Sequence, residues 1–145
     1  METFLNWFPL DLPLIAQNFD RFLVGVWVTL GLTFLSLALG AALAVPLAIA
    51  RASRHRVLNP LVWTYTYIFR GTPLLVQTYL LYYGAGQFAF IRDSWLWDPV
   101  LSQAWWCALI AFTLNTGAYT TELLRGAIAD TPKGEVEAAI ATGMS

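Results

Sequence analysis

From residue 22 to residue 50 the chain carries no charged side chain, an unbroken neutral run between Arg21 and Arg51. As a helix that run would reach roughly 43 Å at about 1.5 Å per residue, more than a hydrocarbon layer of about 30 Å requires. Two further neutral gaps follow, over 71–91 and 99–121. Each is long enough for one crossing, which takes about 20 residues. A fourth gap, 57–69, is too short to cross alone. The Arg70-Gly71-Thr72-Pro73 break separates it from the next span, so it reads as an interfacial or partly buried helix leading into the second crossing. Because lipid leaves no water for the backbone to bond, the spans must be helices, and the reading is an all-α transmembrane bundle with three spans over about 22–50, 71–91 and 99–121. Asp98 as cap and Pro99 in the first position suit the start of the third helix.

Composition supports a membrane chain and removes several alternatives. Hydrophobic residues make up 58% and charged residues 12%, about half the charge of an ordinary soluble domain. A formal charge of -1 gives no electrostatic footprint for nucleic acid. Cys107 is the single cysteine and His55 the single histidine, so neither a zinc site nor an internal disulfide is expected. No metal site and no catalytic group are expected.

Basic residues in short loops set the orientation. Arg51, Arg54 and Arg56, with His55 among them, follow the first span, whereas the loop after the second span holds Arg92 beside Asp93 and Asp98. The first loop is therefore read as cytoplasmic, with the N-terminus outside and everything after Arg125 inside. Trp95, Trp97, Trp105 and Trp106 then fall near the outer interface, where indoles bury a ring and keep the N–H wet. Residues 1–21 carry Glu2 and Asp11 and are broken by Pro9 and Pro13, which reads as an outer-surface amphipathic segment and not as a signal peptide.

Ser36, Gly40, Ala44 and Ala48 recur every fourth residue on the first span, a face suited to close helix contact, and Pro46 favours a kink there. At the end of the third span Asn115, Tyr119 and Glu122 stand at i, i+4 and i+7 on one helical face, flanked by Thr116 and Thr120. Such groups avoid lipid. Two readings are open: Glu122 pairs with Arg125 one turn on while Asn115 ties helices together, or the stripe lines a path for a polar solute with a cationic or zwitterionic group. Beyond Arg125 the segment 126–145 reads as a helix ending, a turn, and a short surface helix. Thr131 suits its cap, Pro132 its first position, Glu135 and Glu137 its positive start, and Gly143 its stop.

Three blocks in this order resemble a known family. Glu137-Ala138-Ala139, followed after three residues by Gly143, is similar to the opening of the Glu-Ala-Ala loop of bacterial ATP-binding-cassette importer permeases. Arg70-Gly71-Thr72-Pro73-Leu74-Leu75-Val76-Gln77 with Tyr82-Tyr83-Gly84, and Leu114-Asn115-Thr116-Gly117-Ala118-Tyr119-Thr120-Thr121-Glu122, resemble the polar amino acid branch of that family, the histidine, lysine/arginine and glutamine permeases. The resemblance implies a type I importer permease fold with the N-terminus outside, in a multi-pass subunit of the bacterial inner membrane. Its implied partners are a second permease subunit, identical or similar, a cytoplasmic ATP-binding subunit and an external amino-acid-binding protein. ATP would be bound and hydrolysed by the partner, so the permease itself holds no cofactor and is no enzyme. On this view Pro132, Glu137, Ala138, Ala139 and Gly143 couple to the ATPase, and Gln77, Asn115, Thr116, Tyr119 and Glu122 border the substrate path.

The family pattern continues past the glycine and adds two spans, whereas this sequence ends at Ser145. Three of five expected spans are present, and the domain over 22–145 reads as partial. A truncated fragment that does not transport, or a small membrane scaffold, is the alternative expectation. An intramembrane protease, which would need paired aspartates or a Ser/His pair within the spans, is not expected, because no aspartate lies in any neutral gap and the single histidine, His55, is in the basic loop. A channel finds no ring of charges or filter-like glycine run to support it.

Overall fold

A computed structural model describes residues 18–53 and 56–144. Most of the expected outer-surface segment, together with Arg54 and His55 of the basic loop, lies outside the described residues. Every regular element among the described residues is helical. The chain forms two compact units divided between Phe34 and Leu35.

The first helix, α1, runs through Phe19–Ala52, 34 residues, with Asp20 in its first turn and Arg51 in its last, each at the end where the helix dipole favours its charge. Up to Phe34 nearly every side chain is exposed. Thr29 and Thr33 there donate their hydroxyls to carbonyls four residues back, Gly25 and Thr29, each at 2.8 Å, so an apolar surrounding meets no bare hydroxyl. From Leu35 onward the expected small-residue face is borne out, since the buried positions of the helix are Ser36, Gly40, Ala44 and Ala48. Pro46 sits within the continuing helix. Among the described residues α1 is the one helix both long and apolar enough to cross a bilayer on those criteria.

Helix α2, Leu58–Gly71, realises the short fourth gap as a partly buried helix, with Val62 and Thr66 turned inward. Thr72 is extended (φ -117°, ψ 142°), as a residue before proline tends to be, and Pro73 has no N–H to continue a ladder. The neutral run over 71–91 is therefore not one helix, contrary to the sequence expectation. It breaks into α3, Leu74–Tyr79, a π-helical turn Leu80–Gly84, a 3-10 turn Ala85–Gln87, an extended Phe88, and the one-turn α4, Ala89–Arg92. Trp97 folds back onto this region: a Cβ on Gly86 would lie 2.7 Å from its ring atom Cη2, so a side chain there would force the indole to shift.

Asp98 and Pro99 do not start the third long helix. They belong to a separate turn, Trp97–Leu101, closed by Ser102 N donating to the Trp97 carbonyl (2.8 Å) and Ser102 Oγ donating to the Asp98 carbonyl (2.9 Å). Gln103 is then extended, and α5 runs Ala104–Asp130, 27 residues. Its principal neighbours are α2 and α3.

Helix α6, Lys133–Ala141, also begins later than expected. Thr131 and Pro132 are both extended, Pro132 occupies the cap position, and the Thr131 hydroxyl bonds back to the Ala127 carbonyl at 3.0 Å. The proline again holds its predecessor out of the helix. Gly143 stops the helix as expected. At φ 88° it lets its own N–H reach the Ile140 carbonyl (3.0 Å) and the N–H of Met144 reach Ala139 (3.0 Å), the paired closure of a Schellman end.

Candidate functional site

The break at residues 70–73 creates a chemical demand. A helix leaves its last four carbonyls without intrahelical partners, and at the end of α2 the carbonyls of Phe69 and Arg70 lie within reach of side chains of α5. The polar residues singled out in the sequence answer that demand. Thr72 Oγ1 donates to the Ile68 carbonyl at 2.9 Å. Gln77 Nε2 donates to the Phe69 carbonyl (2.8 Å) and to Thr72 O and Oγ1 (3.0 and 2.8 Å). Asn115 Nδ2 adds a bond to the same Phe69 carbonyl at 3.2 Å and touches Gln77 Oε1 at 3.4 Å. Tyr119 Oη reaches the Arg70 carbonyl at 3.4 Å, and the Arg70 guanidinium lies 5.4 Å above the centre of the Tyr119 ring. Two distant sequence blocks thus meet: one breaks the helix, and the other satisfies the broken end.

Glu122 belongs to a neighbouring cluster. Its Oε2 accepts from Arg125 Nε at 2.6 Å, the expected pair. Its Oε1 accepts from Arg51 Nε at 3.1 Å and from Thr66 Oγ1 at 3.0 Å. Arg51 also donates to Asn59 Oδ1, and Asn59 Nδ2 closes onto the carbonyls of Arg51 (2.9 Å) and Ser53 (3.1 Å). One carboxylate therefore joins the end of α1, the middle of α2 and the length of α5. Its side chain is 11% exposed. No local sequence signal points to Arg51, Asn59 or Thr66 as members, because the Arg51–Glu122 contact spans 71 positions.

Thr116 stands apart from this polar stripe. It faces α1, where a Cβ placed on Gly40 would lie 2.8 Å from Thr116 Cβ and 3.2 Å from Gly117 N. Gly117 is equally confined, with Leu43 Cδ2 and Tyr65 Oη both 3.0 Å from the Cβ it lacks. The Tyr65 hydroxyl donates to the Leu114 carbonyl at 2.6 Å. Of the five residues assigned to the substrate path, the structure brings Gln77, Asn115 and Tyr119 together, sets Glu122 beside them in the arginine cluster, and separates Thr116 to the glycine crossing.

The residues assigned to coupling all lie on or beside α6. Glu137, Ala138 and Ala139 lie within the helix, and Pro132 and Gly143 mark its two ends. Among the described residues no group of His, Cys, Asp and Glu is arranged to hold a metal ion.

Comparison with known proteins gives this geometry a family. Residues 36–145 match the family described as binding-protein-dependent transport system inner membrane component. The nopaline transport system permease protein NocM of Agrobacterium fabrum is 44% identical over 137 residues, covering 94% of this chain and 56% of the relative. The octopine transport system permease protein OccM of Rhizobium radiobacter is 46% identical over 136 residues, 94% of this chain and 55% of the relative. The histidine/lysine/arginine/ornithine transport system permease protein HisM of Escherichia coli is 42% identical over 133 residues, 92% and 56% respectively. A crystal structure of an amino acid ABC transporter with histidines superposes with a TM-score of 0.77 at 29% identity, over 95% of this chain and 60% of that one. The chain spans about half the length of the relatives it matches, and within that span it belongs to the family of binding-protein-dependent transport system inner membrane components.

Proposed function

We propose that the chain acts as membrane-spanning permease of an ABC importer for polar amino acids, basic or neutral. The observation that carries this reading is its identity of 42–46% over more than nine-tenths of its length to permeases of nopaline, octopine and histidine/lysine/arginine/ornithine systems. In this reading α1, the broken run from α3 to α4, and α5 make three crossings with the N-terminus outside. The basic residues Arg51, Arg54 and Arg56 after the first span, and Lys133 after the third, support that orientation.

The path would follow Gln77, Asn115, Thr116, Tyr119 and Glu122. Polar side chains gathered at a broken helix end inside a membrane protein are suited to exchange backbone bonds for solute bonds. Helix α6 would dock on a cytoplasmic ATP-binding subunit, which supplies and hydrolyses the ATP, so the chain itself needs no cofactor. Its C-terminal end, closed at Gly143, would help it move as a rigid body when the ATPases close. A second permease subunit would complete the path, and an external binding protein would deliver the amino acid.

The test expresses the chain with its ATP-binding partner and measures co-purification together with uptake of labelled arginine, histidine and glutamine. Gly143→Val cannot adopt φ 88° without strain and is expected to abolish ATPase association while leaving the chain in the membrane. Association unchanged by both Gly143→Val and Glu137→Arg refutes the coupling role.

A further inference from the structure

Beyond the transport reading, the arginine cluster lines a cavity of about 430 Å³ whose walls include Arg51, Arg70, Arg125, Glu122, Trp63 and Tyr67. We infer that this cavity seats the phosphate headgroup of an anionic phospholipid. Three guanidiniums face one carboxylate, a local excess of two positive charges. Both Glu122 oxygens are already engaged, by Arg51 and Thr66 on one side and Arg125 on the other. Among the described residues no second carboxylate pairs with any of the three arginines. Arg70 in particular is held by the Tyr119 ring, a contact that fixes a guanidinium without neutralising it. An arginine fork left in that state matches a phosphate diester in shape and charge.

The rim favours a lipid as the source of that phosphate. Trp63 and Tyr67 stack at 5.1 Å, Trp63 about half exposed and Tyr67 about two-thirds, the kind of amphipathic pair that settles at headgroup depth in a bilayer. Basic pockets between membrane helices take acidic headgroups by the same logic. A zwitterionic headgroup brings its own cation and gains nothing from the excess charge.

The purified full chain is transferred to detergent, supplied with equimolar phosphatidylglycerol and phosphatidylcholine, and weighed by native mass spectrometry. Phosphatidylglycerol is expected to be retained over phosphatidylcholine, with retention falling about fivefold in Arg70→Gln and largely kept in Arg70→Lys. Arg56→Gln, an exposed arginine that does not line the cavity, should leave retention unchanged. Circular dichroism checks that each variant keeps its helix content. Should Arg70→Gln unfold, Tyr67→Ala removes the rim without touching a charge and is expected to weaken retention. Equal retention of the two lipids overturns the assignment, and so does full retention in folded Arg70→Gln and Tyr67→Ala. Inorganic phosphate binding in place of the lipid at millimolar concentration also overturns it, by making this a small-anion site.

Discussion

Helix α5 is gripped at two places by opposite means. At the glycine crossing, Gly40 and Gly117 remove the side chains that would separate α1 from α5, and Thr116 and Tyr65 fill the remaining space. At the charge cluster, Glu122 draws Arg51, Thr66 and Arg125 onto one carboxylate. The crossing works by fit and the cluster by charge. In a soluble protein either would be secondary to hydrophobic burial, but lipid tails are as apolar as leucine, so burial in a membrane gives little preference for one neighbour over another. Close approach and polar bonds must then set which helix meets which, and at which height.

If fit governs the crossing, Gly40→Leu should be the most damaging single change. Even its Cβ would stand 2.8 Å from the Cβ of Thr116, a branched stem that cannot swing aside. The expected cost is about 3 kcal/mol, at the upper end of overpacking effects, seen as a lowered midpoint of thermal unfolding in detergent. An exposed glycine on the same helix is the control. Gly31 has nothing within 4 Å of its missing Cβ, and Gly31→Ala should stabilise slightly through helix propensity. Equal effects at the two positions would break the comparison.

The charge cluster should be next. Glu122→Gln keeps a side chain of the same size and an acceptor for Thr66, but leaves Arg51 and Arg125 facing each other unneutralised. Breaking a fully buried pair costs roughly 3–5 kcal/mol; here Arg125 is 37% exposed, and water screening brings the expected loss to about 2 kcal/mol. The double variant with Arg51→Gln should recover part of that loss, since it removes the stranded cation as well. Strict additivity in this cycle would mean that Arg51 and Glu122 do not interact.

The two places also differ in how far the sequence discloses them. The face of Ser36, Gly40, Ala44 and Ala48 is legible because small residues at period four mark a contact wherever it falls on a helix. Its partner is not, because Gly117 reads as one glycine inside a polar block. In the cluster, Glu122 with Arg125 is legible as a local i, i+3 pair, whereas Arg51 and Thr66 come from separate helices and leave no local trace. The misplaced helix starts have one physical theme. Asp98 with Pro99 and Thr131 with Pro132 satisfy the statistical form of a helix opening, yet at the first pair the chain closes a separate turn and at the second the threonine serves the preceding helix. The expected single helix over 71–91 fails because absence of charge measures what lipid tolerates and not where the backbone turns. Thr72 before Pro73 opens the first break, and further along Trp97 packs against Gly86. The stripe of Asn115 and Tyr119 falls on one face as the spacing predicts, but its first duty, bonding the open end of α2, emerges only once Phe69 and Arg70 are known to lie opposite.

Tyr65 offers the finest test, because at the glycine crossing it acts both by fit and by a polar bond. Its hydroxyl makes a bond of 2.6 Å to the Leu114 carbonyl and also occupies space 3.0 Å from the Cβ that Gly117 lacks. Tyr65→Phe alone loses one hydrogen bond, while the Leu114 carbonyl keeps its place in the helix, so about 1 kcal/mol of stability should go. Gly117→Ala alone should also destabilise, since its new methyl crowds that same hydroxyl and Leu43 Cδ2. The two changes together should cost less than their sum, because phenylalanine clears the oxygen that the methyl would strike. The shortfall from additivity measures how much of the confinement at Gly117 comes from one oxygen atom, and a sum without shortfall would assign it to Leu43 and the α1 backbone instead.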